Sequence, residues 1–148
     1  MLGHYHHFEQ AVELTASNRH QEAIEEFTKA LEQEPRHFPS LLNRGTIYGL
    51  LRLWPLAVDD FAHAIKLEPS DPVGYYNRFV AWAALLKYNL ALQDLYCALS
   101  LLYVQRAVAS QALKYFTRAI SLVENNQFAH IERGEYYREG GKDKLALN

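Results

Sequence analysis

Apolar side chains recur along this chain in a fixed phrase. Ala23, Phe27, Ala30 and Leu31 are followed by Ala57, Phe61, Ala64 and Ile65, and then by Ala91, Leu95, Ala98 and Leu99. Positions i, i+4, i+7 and i+8 share one face of an α-helix, whereas a half-buried strand would alternate every second residue. No segment has that alternation or the turn dipeptides of a β-hairpin, so the pattern predicts an all-α chain. Each stripe begins 34 residues after the last, at Ala23, Ala57 and Ala91. A further helical segment precedes each one, parted from it by a short turn: Asn18-Arg19-His20, Arg52 to Trp54, and Lys87 to Asn89. The unit is helix, turn, helix. Pro35 and Pro69 close the first two units, because proline lacks an N–H and collides with the turn before it.

A helix pair repeated at this interval resembles a tetratricopeptide repeat. The second copy, LLNRGTIYGLLRLWPLAVDDFAHAIKLEP, carries the resemblance most fully. Gly45 and Tyr48 stand where the family has its glycine and aromatic; Ala57, Phe61, Ala64 and Pro69 match its small, aromatic, small and helix-ending places. In the first copy Ala11 and Leu14 hold the glycine and aromatic places, and in the third Phe79 and Trp82 do. Small residues let paired helices approach closely, and aromatics fill the space between neighbours. One pair cannot bury its apolar face alone, so the phrase is repeated and stacked. The resemblance implies an α-solenoid of antiparallel helix pairs in one domain, 1–148. Repeats are expected at about 4–37, 38–71 and 72–103, then an irregular segment 104–126 and a partial repeat 127–148.

The period then breaks. The phrase returns with Ala112, Phe116 and Ala119, but Ala112 follows Ala91 by 21 residues instead of 34. About one helix of the pair is missing. Residues 90–124 contain neither Gly nor Pro, so two second-helices could fuse into one helix roughly 52 Å long. Alternatively a turn within Tyr103 to Arg106 makes two helices, with Leu99 and Tyr103 serving as first-helix residues of a compressed repeat. Alternation of helix types favours fusion. A fused helix would leave its far half uncovered, and a twofold copy exchanging residues 90–148 would cover it, giving a homodimer. Either the chain is an excerpt of a longer array or it self-associates, and the two are compatible.

Composition narrows the function. Fifteen Lys and Arg against 17 Asp and Glu give a net charge of −2, with no basic excess for nucleic acid or an acidic membrane surface. No apolar run approaches the roughly 20 residues that span a bilayer. Cys97 stands alone, so no internal disulfide forms and a reducing, cytoplasmic setting is expected. No phosphate-binding glycine loop, nucleophile motif or Cys–His signature occurs, so neither catalysis nor a cofactor is expected. His4 and His7 would share a helix face, but no third ligand follows at metal spacing, and no metal site is expected. Arg44, Arg78 and Arg133 each follow an Asn or Glu; inter-repeat ion pairs are the expected use, an anion-binding ladder the alternative.

The resemblance also implies a site. In the family the first helix of each pair lines a concave groove that holds a peptide or partner helix. The matching positions are Phe8, Glu9 and Val12 in the first unit, Leu42, Asn43, Thr46 and Leu50 in the second, and Tyr76, Asn77 and Val80 in the third. Asn43 and Asn77 occupy equivalent places, and an amide there can bond a ligand backbone as donor and acceptor. Family members that capture the C-terminal tail of heat-shock chaperones use lysines, asparagines and an arginine along this groove. Here Phe8, Val12, Val73 and Asn77 fill four of those places and only Asn43 matches, so chaperone-tail capture is not expected. The implied function is a protein-interaction scaffold with an apolar groove; the alternative is a self-associating structural module.

Overall fold

Residues 3–106, with 111, 114, 115, 117 and 118 beyond them, are described by the computed structural model. Within them run six helices: α1 (Gly3–Ala16), α2 (His20–Gln33), α3 (Phe38–Leu50), α4 (Trp54–Leu67), α5 (Pro72–Ala84) and α6 (Tyr88–Gln105). No strand occurs among the described residues. The helices pair in order, α1 with α2, α3 with α4 and α5 with α6. The chain divides into two compact units, Met1–Glu68 and Pro69–Asn148. In the first, α3 also packs on α2, which joins two helix pairs.

The 34-residue stripes are the buried faces. Ala23, Ile24, Phe27, Ala30 and Leu31 of α2 are buried, as are Ala57, Val58, Phe61, Ala64 and Ile65 of α4. Gly45 lets α3 meet α4: a Cβ there would lie 2.6 Å from Cε1 of Phe61. Gly45→Ala is therefore expected to lower stability by about 1 kcal/mol, an overpacking cost of about 1–3 kcal/mol partly offset by alanine's better helix propensity. Urea unfolding of Gly45→Ala in the wild-type and Phe61→Leu backgrounds checks this. With the smaller leucine side chain opposite, the same substitution should become neutral or stabilising.

The three turns between paired helices are one structure made three times. The N–H groups of Arg19, Leu53 and Lys87 donate to the carbonyls of Leu14, Tyr48 and Trp82 at 2.9, 2.8 and 2.9 Å. Those of Asn18, Arg52 and Leu86 donate to Thr15, Gly49 and Ala83, each at 3.0 Å. Asn18, Arg52 and Leu86 take the left-handed conformation, with φ of 57°, 60° and 58°. This is the Schellman ending of a helix, which glycine fits best and asparagine tolerates. For Arg52 and Leu86 it costs about 1–2 kcal/mol each. The next residue, Arg19, Leu53 or Lys87, is the N-cap of the following helix and supplies no side-chain cap. A Ser or Asp there would add about 1 kcal/mol.

The fused helix over 90–124 is not formed. Tyr103 stands where Pro35 and Pro69 stand, so α6 runs on through it to 18 residues, against 14 for α2 and for α4. It then stops within Tyr103 to Arg106. Arg106 has φ −90° and ψ 4°, close to the −84°, 5° of Leu51 and −82°, 5° of Leu85, which close α3 and α5. The second helices α2 and α4 close differently, at Glu34 (−133°, 86°) and Glu68 (−131°, 72°). So α6 begins as a second helix and ends as a first helix.

Its surface carries the same double role. Lys29 and Glu32 of α2, and His63 and Lys66 of α4, are not buried. The equivalent residues of α6, Cys97 and Ser100, are buried. The Tyr115 ring stacks on that side, 5.4 Å from Tyr103 at 8° and 5.9 Å from Tyr96 at 26°. Absence of Gly and Pro permits a long helix without requiring one. With α6 ending at Gln105, the exchange homodimer through residues 90–148 loses its geometric premise. Ala112, Phe116, Ala119, Arg133 and the partial repeat 127–148 lie outside the described residues.

Candidate partner-binding surface

Two arginines fasten their own helix pairs. Arg44 of α3 donates through Nε and Nη2 to the Asp60 carboxylate of α4, at 2.8 and 2.7 Å. Arg78 of α5 does the same to Asp94 of α6, at 2.7 and 2.8 Å. Arg44 also donates through Nη1 to Thr28 Oγ1 at 3.0 Å, reaching the preceding pair. The bonds to Asp60 push the Arg44 pKa up, while burial pushes the Asp94 carboxyl up against the pull of Arg78. The arginines therefore bond within a pair, correcting the inter-repeat expectation, and they do not form an open anion ladder. In the first pair Gln10 and Glu26 hold those places. Glu26 receives Lys29 Nζ and shares a hydrogen bond with His7 Nδ1, both at 2.6 Å, and these hold its carboxyl below the usual range.

With the cations engaged, what the first helices leave open is mainly apolar or amide. In the first unit several expected groove residues are drawn into packing. Phe8 lies against Phe27 and edge-on to His37, at centroid distances of 5.9 and 4.9 Å. Leu42 packs on the cluster of Leu31, Leu41 and Ala64. Asn43 donates through Nδ2 to the Pro39 carbonyl, and Thr46 through its hydroxyl to the Leu42 carbonyl, both at 2.8 Å. Glu9, Val12, Thr46 and Leu50 remain exposed.

The second unit presents a simpler face. Val73, Tyr76 and Val80 stand at i, i+3 and i+7 on α5, and all three are exposed, Tyr76 to 54%. Asn77 lies half-buried beside them. The Tyr76 ring tilts against Phe79 at 5.9 Å, which orients it. Arg78 is the sole charge of α5 and is committed to Asp94. Helical spacing places Tyr76, Asn77 and Val80 on this face from sequence alone. Val73 stands at a place where chaperone-tail binders of the family are expected to have a charged residue, and its i, i+3, i+7 spacing with Tyr76 and Val80 is the sequence signal for its membership of this face.

Other candidate chemistry is dispersed. The His4 ring sits 5.4 Å from that of His37, while His7 turns to Glu26, so the two do not converge. Burial pushes the His37 pKa down, and His4 adds to this. Among the described residues no group of three His, Cys, Asp or Glu could hold a metal ion.

No family model and no curated protein matches the chain. Solved structures do. The first tetratricopeptide domain of Spaghetti (RPAP3), solved bound to the HSP90 peptide SRMEEVD, aligns with a TM-score of 0.56 and 21% identity, over 95% of this chain and 94% of that one. The TPR2B domain of yeast Sti1, solved as a pHsp70 complex, aligns at 0.67 and 18%, over 80% and 99%. The MamA protein aligns at 0.62 and 18%, over 99% and 87%. This chain has the tetratricopeptide-repeat fold, the α-solenoid architecture of helix pairs implied by the 34-residue phrase.

Proposed function

We propose that this chain is a non-catalytic protein-interaction module that takes an uncharged, apolar peptide or partner helix on its first-helix faces, foremost on α5. The observation that carries this reading is the strip of Val73, Tyr76 and Val80 on a helix whose one charge is already paired. A helical ligand with apolar residues at the same spacing would lay its stripe along it. Tyr76 would be the anchor, an amphipathic ring of the type that dominates binding energies. Asn77 would serve a ligand backbone or side chain through its amide.

One solved structure of the same fold is bound to an HSP90 peptide and another is a pHsp70 complex, which supports a partner-binding role in general. The acidic tail SRMEEVD would meet no unpaired cation on α5, so this chain's ligand is of a different chemistry. The single cysteine, buried on α6, suits a reducing compartment such as the cytoplasm.

Selection from a displayed library of short random peptides tests this reading. Recovered sequences should be amphipathic with apolar residues three and four apart. Tyr76→Ala should weaken them at least about 30-fold, the loss of one anchor. Helicity measured by circular dichroism should stay unchanged, since Tyr76 is exposed. Recovery of acidic C-terminal tails, or binders indifferent to Tyr76→Ala and Val73→Asp, would refute it.

A further inference from the structure

Two of the three turn tips hold leucines that cost the fold stability and gain it little burial. Leu53 occupies the N-cap of α4, where it supplies no cap, and is 42% exposed. Leu86 takes the left-handed turn position, with φ 58°, and is 68% exposed. At the first tip the corresponding places are polar: Asn18, which tolerates the left-handed conformation, and Arg19, which is an uncapped N-cap too but is paired with Glu22. Exposed apolar residues at positions that local preference would fill otherwise point to a surface with a use outside the fold.

Both departures have the same chemical character. Close to Leu53 in sequence Leu50, Leu51 and Leu56 are exposed, and shortly after Leu86 so are Tyr88, Leu90 and Leu92. Each tip adds one cation, Arg52 or Lys87, and neither makes an ion pair among the described residues. No acidic residue lies between Glu34 and Asp59, or between Asp71 and Asp94. The second tip surrounds a depression of about 340 Å³ lined by Leu86, Lys87, Tyr88, Asn89 and Leu90.

We propose that these tips contact an anionic lipid surface, each acting in its own unit. Exposed leucines and a tyrosine at a turn enter the interfacial layer without needing a shaped partner. Arg52 and Lys87 extend their charged ends to the headgroup phosphates. A net charge of −2 gave no sign of this, because the acidic residues lie outside both segments. The contact is peripheral: no helix among the described residues is long and apolar enough to cross a membrane.

Sedimentation of the full chain with vesicles tests the proposal. It should sediment with vesicles of phosphatidylcholine mixed with phosphatidylserine, less with phosphatidylcholine alone, and less as salt rises. Leu53→Asp and Leu86→Gly are the informative substitutions, because each improves its local backbone position. Together they should raise Tm yet lower vesicle binding at least about tenfold. Arg52→Gly should also raise Tm and weaken binding about fivefold. Wild-type chain that stays in the supernatant overturns the proposal and leaves the tips to a protein partner. Equal sedimentation with neutral vesicles, or undiminished binding by the double variant, overturns it too.

Discussion

Arg78→Met is expected to remove about 3–5 kcal/mol of folding stability at neutral pH, measured by urea unfolding. The methionine covers much of the apolar surface under the arginine stem, so the loss isolates the charge. Asp94 is 2% exposed and accepts two hydrogen bonds from Arg78, so the substitution strands a buried carboxylate. Replacing both partners, as Arg78→Met with Asp94→Leu, should recover most of the loss, because an apolar pair carries no desolvation penalty.

The same variant has a pH signature. Burial already pushes the Asp94 carboxyl above its ordinary value, and removing Arg78 pushes it further. A carboxyl whose folded pKa lies above its unfolded one destabilises the fold at neutral pH; the penalty fades as pH falls through the folded value. The gap in unfolding midpoint between Arg78→Met and wild type should therefore narrow from about pH 7 towards about pH 4. A constant gap would mean that the loss comes from packing rather than from stranded charge.

Ser100→Lys and Lys66→Ser should differ sharply, although the two positions stand 34 residues apart in the same register. Lys66 is exposed on α4, and its loss should change stability by no more than about 0.5 kcal/mol. Ser100 on α6 is fully buried, and its hydroxyl donates to the Cys97 carbonyl at 2.7 Å. An unpaired lysine placed there should cost about 3–5 kcal/mol. Equal tolerance at both positions would show that this side of α6 is open after all.

That comparison also marks where the sequence was legible. The buried stripes, the pairing of helices and the stops at Pro35 and Pro69 follow from 3.6-residue periodicity and proline chemistry. Both are local, and the structure has them. The end of α6 is not a local matter. Nothing between residues 90 and 124 forbids a helix, so the turn after Gln105 depends on tertiary packing. A signal was nonetheless present: the outer positions are charged at Glu32 and Lys66 and become Ser100, as Lys29 and His63 give way to Cys97.

The candidate surface was legible in part. Helical spacing put Tyr76, Asn77 and Val80 on one face, and they share it. Spacing could not foresee that Phe8 would be taken up by Phe27 and His37, or that Asn43 would bond its own helix. Those are choices among neighbours from other elements or other turns. The arginines show the same limit: their recurrence was plain, but their carboxylate partners lie 16 residues away on the paired helix.

An array of repeats is ordinarily a string of interchangeable parts, which can be lengthened or cut wherever one pair gives way to the next. Through α6 this chain gives up that freedom at one place. Ser100 is buried and Tyr103 stacks on Tyr115 on the side of α6 that α2 and α4 leave polar and exposed, so a cut after residue 103 would uncover it. The first unit ends at Glu68, and Pro69, which opens the second, is a helix-ending proline like Pro35. Anyone wishing to graft further repeats onto this scaffold should open it there.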